Sequence, residues 1–407
     1  VKDTDTLDSH LRRNLMFLFT SGLLFWSSLT SMLPTLPIYI ASTGATKLQI
    51  GIIMGSFAVG MFLFRPQCGI LADRRGRKIV LLMGMSVAAI APIFYLFTKS
   101  MILLMLVRAF HGISIAAFST GYTALAADLA PENRRGEVMG YMTLVAPIGA
   151  AIGPAVGGYL QTAFGNNTFF LTATVLGGLG FICLFPLVNP PVVLLPKNEI
   201  AIKFWELIFS RRVRIPALVL SILGLAMGAM DIFVSLFIKS TGVGLNVGLF
   251  FTTAALASFA VRIFAGSASD KYGRGLVMTI GLVLYVMDML CVWLANSSSS
   301  FLLAAFIQGT AGGLVFPTVS AMMTDRAQNY ERGRIFSLSF MGFDIGLMGS
   351  GPFLGLVAEH IGYRNMYGCG MLLCCLATLT FITQSNRNLA ESLRFACGLG
   401  GDAYMVK

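Results

Sequence analysis

The stretch RPQCGILADRRGRK, residues 65 to 78, sets Arg65, Asp73, Arg74, Arg75, Arg77 and Lys78 between two long apolar runs. It returns as RIFAGSASDKYGRG, residues 262 to 275. Arg65, Gly69, Asp73, Gly76 and Arg77 match Arg262, Gly266, Asp270, Gly273 and Arg274, each 197 residues on. The same offset carries Gly112 to Gly309, Asp128 to Asp325, Arg135 to Arg332 and Gly136 to Gly333. A gap-free offset held over about seventy residues marks a duplicated unit.

The duplicated unit is apolar. Hydrophobic residues make up 56% of the 407, charged residues 12%, and the mean hydropathy is +0.79. A soluble domain carries about a quarter charged residues. The runs are continuous and each is long enough to cross about 30 Å of hydrocarbon as a helix, which predicts an all-α polytopic membrane protein and argues against a barrel of alternating strands. Twelve spans are expected, at 14–40, 48–70, 79–98, 101–127, 138–162, 168–189, 215–238, 245–267, 277–295, 301–323, 335–358 and 364–384. Six per copy is even, so both copies enter the membrane from one side. Such parallel repeats are related by an axis along the membrane normal and form a substrate site near the midplane. The expected domains are an N-terminal six-helix bundle over 1–190, a cytoplasmic linker over 191–214 and a C-terminal six-helix bundle over 215–407. In the linker Ile200, Phe204, Leu207 and Ile208 recur at helical spacing. They fit a short amphipathic helix on the membrane surface or a plain solvated connection. The first span is too long for a signal-peptide core, and its end, LPTLPIYI, is no small-residue cleavage site.

With both termini inside, twenty-two of the 29 lysines and arginines fall in inner segments and four in outer loops. That asymmetry predicts cytoplasmic termini in an inner or plasma membrane. The net charge of +11 then reflects topology and anionic lipid, and nucleic acid is not an expected partner. The seven cysteines lack metal-ligand spacing, so no metal is expected. There is no Walker motif to bind ATP and no nucleophile, base and orienting group to assemble, so neither an enzyme nor a cofactor is expected.

GILADRRGRK resembles the signature between spans two and three of the major facilitator superfamily. RAFHGISIAA in span four resembles that superfamily's arginine motif. GAAIGPAVGG, residues 149 to 158, is similar to the fifth-span motif of its export branches. The resemblance covers the whole chain and implies the twelve-helix major facilitator fold, in the branch of drug/proton antiporters. It also implies a cytoplasmic gate at the hairpin, with Asp73 facing a helix N-terminus. Positive-inside topology alone explains the arginines but not an aspartate and glycines at fixed spacing. The expected gate residues are Gly69, Asp73, Gly76 and Arg77, with Glu132 as a partner for Arg77 and contacts onto the other half. Asp270 and Arg274 repeat the pattern less completely, since Ser267 and Ser269 replace Ile70 and Ala72 and Gly275 replaces Lys78. In span five Gly149, Gly153, Gly157 and Gly158, with Pro154, predict close helix contact and a bend.

Charges inside the membrane are costly unless paired or hydrated, so each is a functional candidate. They are Arg108 and His111 in span four, Asp231 in span seven, Asp288 in span nine and Asp344 in span eleven. In the family resembled, spans one, four, seven and ten line the cavity and spans two, five, eight and eleven complete its wall. Arg108, His111, Asp231 and Asp344 are therefore expected to face it, and Asp288, in a peripheral span, to be structural. A carboxyl taken out of water holds its proton more tightly and can exchange it near neutral pH. Asp344 is the first candidate carrier and Asp231 the second, with His111 and Arg108 as the basic groups. Span one departs from many proton-driven exporters, because FTSGLLFWSSLTSMLPTLPIYI holds no acid. Its Trp26, Thr30 and Ser31, with Gln308 as the repeat counterpart of His111, are the expected ligand contacts.

These readings converge on a secondary active transporter working by alternating access. The expected activity is export of a small apolar or amphipathic compound against the proton gradient's inward flow, by a monomer in the lipid bilayer. The rivals are a nutrient or metabolite importer or uniporter of the same fold, and a transporter-like receptor without flux.

Overall fold

Long apolar runs cut by short basic turns leave the backbone one economical solution in hydrocarbon, the helix, which satisfies its own hydrogen bonds. The computed structural model describes residues 9–131, 135–188, 209–327 and 332–406. Every regular element among them is helical. Span one is α1 (Ser9–Ser31) with α2 (Leu36–Ser42); spans two to four are α3 (Lys47–Arg75), α4 (Arg77–Phe97) and α5 (Met101–Leu129). Span five is α6 (Arg135–Thr143) with α7 (Val145–Phe164), and span six is α8 (Asn166–Cys183). Spans seven to ten are α9 (Arg211–Ser240), α10 (Val247–Tyr272), α11 (Arg274–Leu294) and α12 (Ser298–Asp325). In α13 (Arg332–Gln384) Gly362, at φ 80° and ψ 166°, parts spans eleven and twelve. A last helix, α14 (Leu389–Ala396), follows. Ten described stretches are long and apolar enough to cross a membrane, the last of them holding two spans, and Asn167–Cys183 is a shorter apolar helix. The twelve expected spans are all present. Of the linker, residues 189–208, with the helix expected there, lie outside the described residues, and from Arg211 the chain already belongs to α9.

The turns of the two charged hairpins are built alike. Gly76 has φ 95° and Gly273 φ 92°, a region that side chains avoid. Each glycine ends one span and lets the next begin at the following residue.

The chain divides into two compact units, one within Val1–Leu36 and Val59–Lys197, the other within Pro37–Ala58 and Asn198–Lys407. In the first, span five packs on span one through its glycines. A side chain at Gly149 would meet Trp26 Cβ, at Gly153 the Ser27 carbonyl and Thr30 Oγ1, and at Gly157 the Ser31 carbonyl. In the second, span eleven packs on span seven in the corresponding way. Gly346, the repeat counterpart of Gly149, lies against the Ser221 carbonyl, and Gly342 against that of Ala217. The second unit also holds the start of span two. Gly51 and Gly351 meet backbone to backbone. Lys47 Nζ donates to the Ala358 carbonyl at 2.9 Å, and the Leu48 N–H to Glu359 Oε2 at 3.2 Å.

Candidate functional site

At the first hairpin Arg77 Nε donates to Asp128 Oδ2 at 3.2 Å and Arg77 Nη1 to the Ala72 carbonyl at 2.6 Å. At the second, Arg274 Nε donates to Asp325 Oδ2 at 2.9 Å and Nη1 to Ser269 Oγ at 2.5 Å, with Asp270 also paired to the guanidinium. Asp325 and Ser269 are the repeat counterparts of Asp128 and Ala72. The serine that breaks the sequence pattern thus takes up the guanidinium that a carbonyl holds in the first copy. Both arginines bond to an aspartate at the end of an adjacent helix, because span four and span ten each end in an aspartate beside the turn. Glu132 and the side chain of Asp73 lie outside the described residues. Gly69 has open space where a side chain would stand.

Lys78 Nζ donates to the Phe185 and Leu187 carbonyls, both at 2.7 Å, where span six ends. A cation there satisfies carbonyls that the finished helix leaves free. Its counterpart Gly275 does the opposite and leaves room for the Phe395 carbonyl of α14. Beyond α14 the chain is held by a buried ion pair that the sequence pattern did not disclose. Arg326, 0% exposed, donates from Nε to Asp402 Oδ2 at 2.6 Å, and to the Arg212 and Ser385 carbonyls at 3.1 and 3.0 Å. The Tyr404 ring lies 5.1 Å from the guanidinium, and the Val406 N–H donates to the Asp325 carbonyl at 2.9 Å.

Inside the spans the polar groups differ between the units. In the first, His111 is 0% exposed and Arg108 is buried. Both lie close to Tyr95 of span three, whose ring stacks on Phe170 of span six at 5.5 Å. His111, expected to face a cavity, is fully buried with its ring 6.2 Å from that of Tyr95. Thr30 and Ser31, the expected ligand contacts, bond to helix carbonyls. Thr30 Oγ1 donates to the Trp26 and Gly149 carbonyls at 2.7 and 2.9 Å, Ser31 Oγ donates to the Ser28 carbonyl at 2.7 Å, and both residues are buried against span five. Trp26 stays partly exposed, its ring edge-on to Phe25.

In the second unit Asp344 is buried and Asp231 half-buried. Asp344 follows Phe343, whose ring meets Phe316 of span ten edge-on at 5.3 Å. Gln308 is half-buried, and its Oε1 has no hydrogen-bond partner among the described residues. Asp288 is 0% exposed. At the end of this unit away from the hairpins a cavity of about 390 Å³ is lined by Phe237, Asn296, Tyr363 and Arg364, and another of about 340 Å³ by Ile38, Ser42, Leu236 and Lys239. No expected site residue lines either.

A duplicated, all-helical chain with charged hairpins and isolated charges in its spans is a multi-pass membrane protein. The profile of the Major Facilitator Superfamily matches residues 18–350 and 244–392, and the chain belongs to that superfamily. It is 26% identical over 379 residues to the multidrug resistance protein MdtG of Klebsiella pneumoniae (strain 342), covering 88% of this chain and 89% of that one. The MdtG of Escherichia fergusonii is 25% identical over 393 residues, covering 92% and 94%. Among solved structures, a bacterial homolog of the human lysosomal transporter Spinster matches with TM-score 0.74 at 14% identity, covering 92% of this chain and 97% of that one. The nucleoside transporter NupG matches with TM-score 0.72 at 15% identity, covering 90% and 98%. At such identities the structures establish the fold alone.

Proposed function

We propose that the protein exports a small apolar or amphipathic compound in exchange for protons, by alternating access, from an inner membrane with both termini in the cytoplasm. The observation that carries this reading is the pair of carboxylates within spans, Asp344 buried in span eleven and Asp231 half-buried in span seven. An acid in such surroundings alternates between a protonated and an ionised form only if the surroundings change, and alternating access supplies that change. The similarity over most of the chain to proteins named for multidrug resistance supports export. The charged hairpins, closed by Arg77–Asp128 and Arg274–Asp325, are the proposed cytoplasmic gate elements. Each holds the end of one helix against the start of another, so both must yield or rotate as units when the gate opens.

The test is transport of a lipophilic dye in inside-out vesicles, with internal pH read by a second dye. Exchange predicts that dye uptake collapses an imposed proton gradient. Dye movement with no proton movement sinks the coupling and favours a uniporter. Dye binding without flux sinks transport of that class altogether.

A further inference from the structure

Asp288 has no place in the reading above, and its surroundings are peculiar to the second repeat. It is 0% exposed, and neither carboxylate oxygen has a hydrogen-bond partner among the described residues. Its repeat counterpart is Ala91, equally buried. The bundle therefore packs at this position with a methyl group, and the fold does not call for an acid.

The groups around Asp288 form a set. Tyr285 precedes it by one turn on the same face of α11, and the Tyr285 hydroxyl lies against Gly312 of span ten. Tyr367 and Cys374 of span twelve and Cys291 of its own helix are within electrostatic reach of the carboxyl. Tyr367 is committed elsewhere, donating its hydroxyl to the Ala229 carbonyl of span seven at 3.0 Å. Tyr285 is within electrostatic reach of Asp288 and also of Asp231 in span seven and Arg262 in span eight. Arg262 Nε is itself buried without a hydrogen-bond partner among the described residues. Span ten contributes the neutral Gln308 at about this level. The first unit, by contrast, buries the basic pair Arg108 and His111.

A buried carboxylate that accepts no hydrogen bond loses its hydration without compensation, and a proton is the smallest ligand that restores it. We infer that Asp288 is a proton-binding site in the interior of the second bundle. This deepens the proton-coupled reading and rests on it for its role in transport, but the site is measurable without transport.

The experiment is infrared spectroscopy of the full chain reconstituted in lipid. In a chain carrying Asp231→Asn and Asp344→Asn, a protonated-carboxyl stretching band at neutral pH is expected, and it is expected to be lost when Asp288→Asn is added. Asp288→Glu, which keeps the acid, should restore a band. If Asp288→Asn leaves the band unchanged, or no band is present before it is made, Asp288 is ionised and the inference is overturned. Should the vesicle test find no proton movement while the Asp288 band persists, the coupled-export reading falls and the Asp288 site stands.

Discussion

Arg274 Nε meets Asp325 Oδ2 at 2.9 Å, and 197 residues earlier Arg77 Nε meets Asp128 Oδ2 at 3.2 Å. The same bond was kept in both copies although the surrounding hairpins diverged. The two are not equally strong. Asp325 is 26% exposed against 41% for Asp128, and Arg274 gains a hydroxyl acceptor in Ser269. Solvent screens the first-copy pair more, so Asp128→Asn should cost well under about 1 kcal/mol and Asp325→Asn about 1 kcal/mol. Thermal unfolding in detergent should place the midpoint of Asp325→Asn below that of Asp128→Asn. The reverse order would mean that burial does not rank these pairs.

The Arg326–Asp402 pair belongs to another class, since the arginine is 0% exposed and Asp402 7%. Removing one member of a buried pair leaves the other charge without compensation. Asp402→Ala should therefore destabilise by about 3 kcal/mol. The double substitution Arg326→Met with Asp402→Ala should recover most of that loss, because no charge is then stranded. Unfolding midpoints of the two single variants and the double form the cycle. A double variant as unstable as Asp402→Ala would show that the tail is held by its backbone bonds to Asn386 and Asp325 instead.

The fold was legible because its signals are long and redundant. Twelve apolar runs, a constant offset and paired glycine turns each point to the same duplicated helical architecture. The site was legible only in part. Asp231 and Asp344 stand out as acids in apolar runs, but which face of a helix they share with which neighbour depends on packing that no spacing encodes. His111 shows the limit: one turn from Arg108, its full burial and its nearness to Tyr95 of span three are set by packing that spacing does not encode. Thr30 is an expected ligand contact by its type, but its bond to the Gly149 carbonyl depends on the register of span five against span one. Arg326 and Asp402 lie 76 residues apart with no repeat counterpart for the pair, since Leu129 occupies the first-copy position. Ser269 could have been found by asking what a hydroxyl five residues before an arginine would do at a tight turn.

The charge asymmetry makes the orientation testable with a native residue. Cys397 is exposed just beyond α14, on the hairpin side, and Ser299 is exposed at the start of span ten, on the other side. With the other cysteines replaced by alanine, an impermeant thiol reagent should label Ser299→Cys in intact cells and Cys397 only after the membrane is opened. The opposite pattern would invert the topology and make the hairpins an outer feature.

The last prediction separates the two candidate carriers. Asp344 lies on the face of span eleven that carries Met348, Gly351 and Gly355, which form a seam with the start of span two at Gly55, Gly51 and Lys47; Gly342 and Gly346, two residues to either side of it, rest on span seven instead. A shift of span eleven in that seam changes what surrounds this carboxyl, which is what a coupling group requires. Asp231 is more open to its surroundings. If Asp344 releases its proton when the seam moves, Asp344→Asn, which mimics the protonated acid, should lower gradient-driven dye accumulation at least about tenfold while downhill dye exchange continues. Rates measured in proteoliposomes over a range of internal pH provide the check. Wild-type accumulation should depend on pH, and that of Asp344→Asn should be flat. If Asp231→Asn flattens the profile and Asp344→Asn does not, the carrier lies in span seven. If both profiles keep their wild-type shape, protons do not move through either carboxyl, and an uncoupled carrier is the better reading.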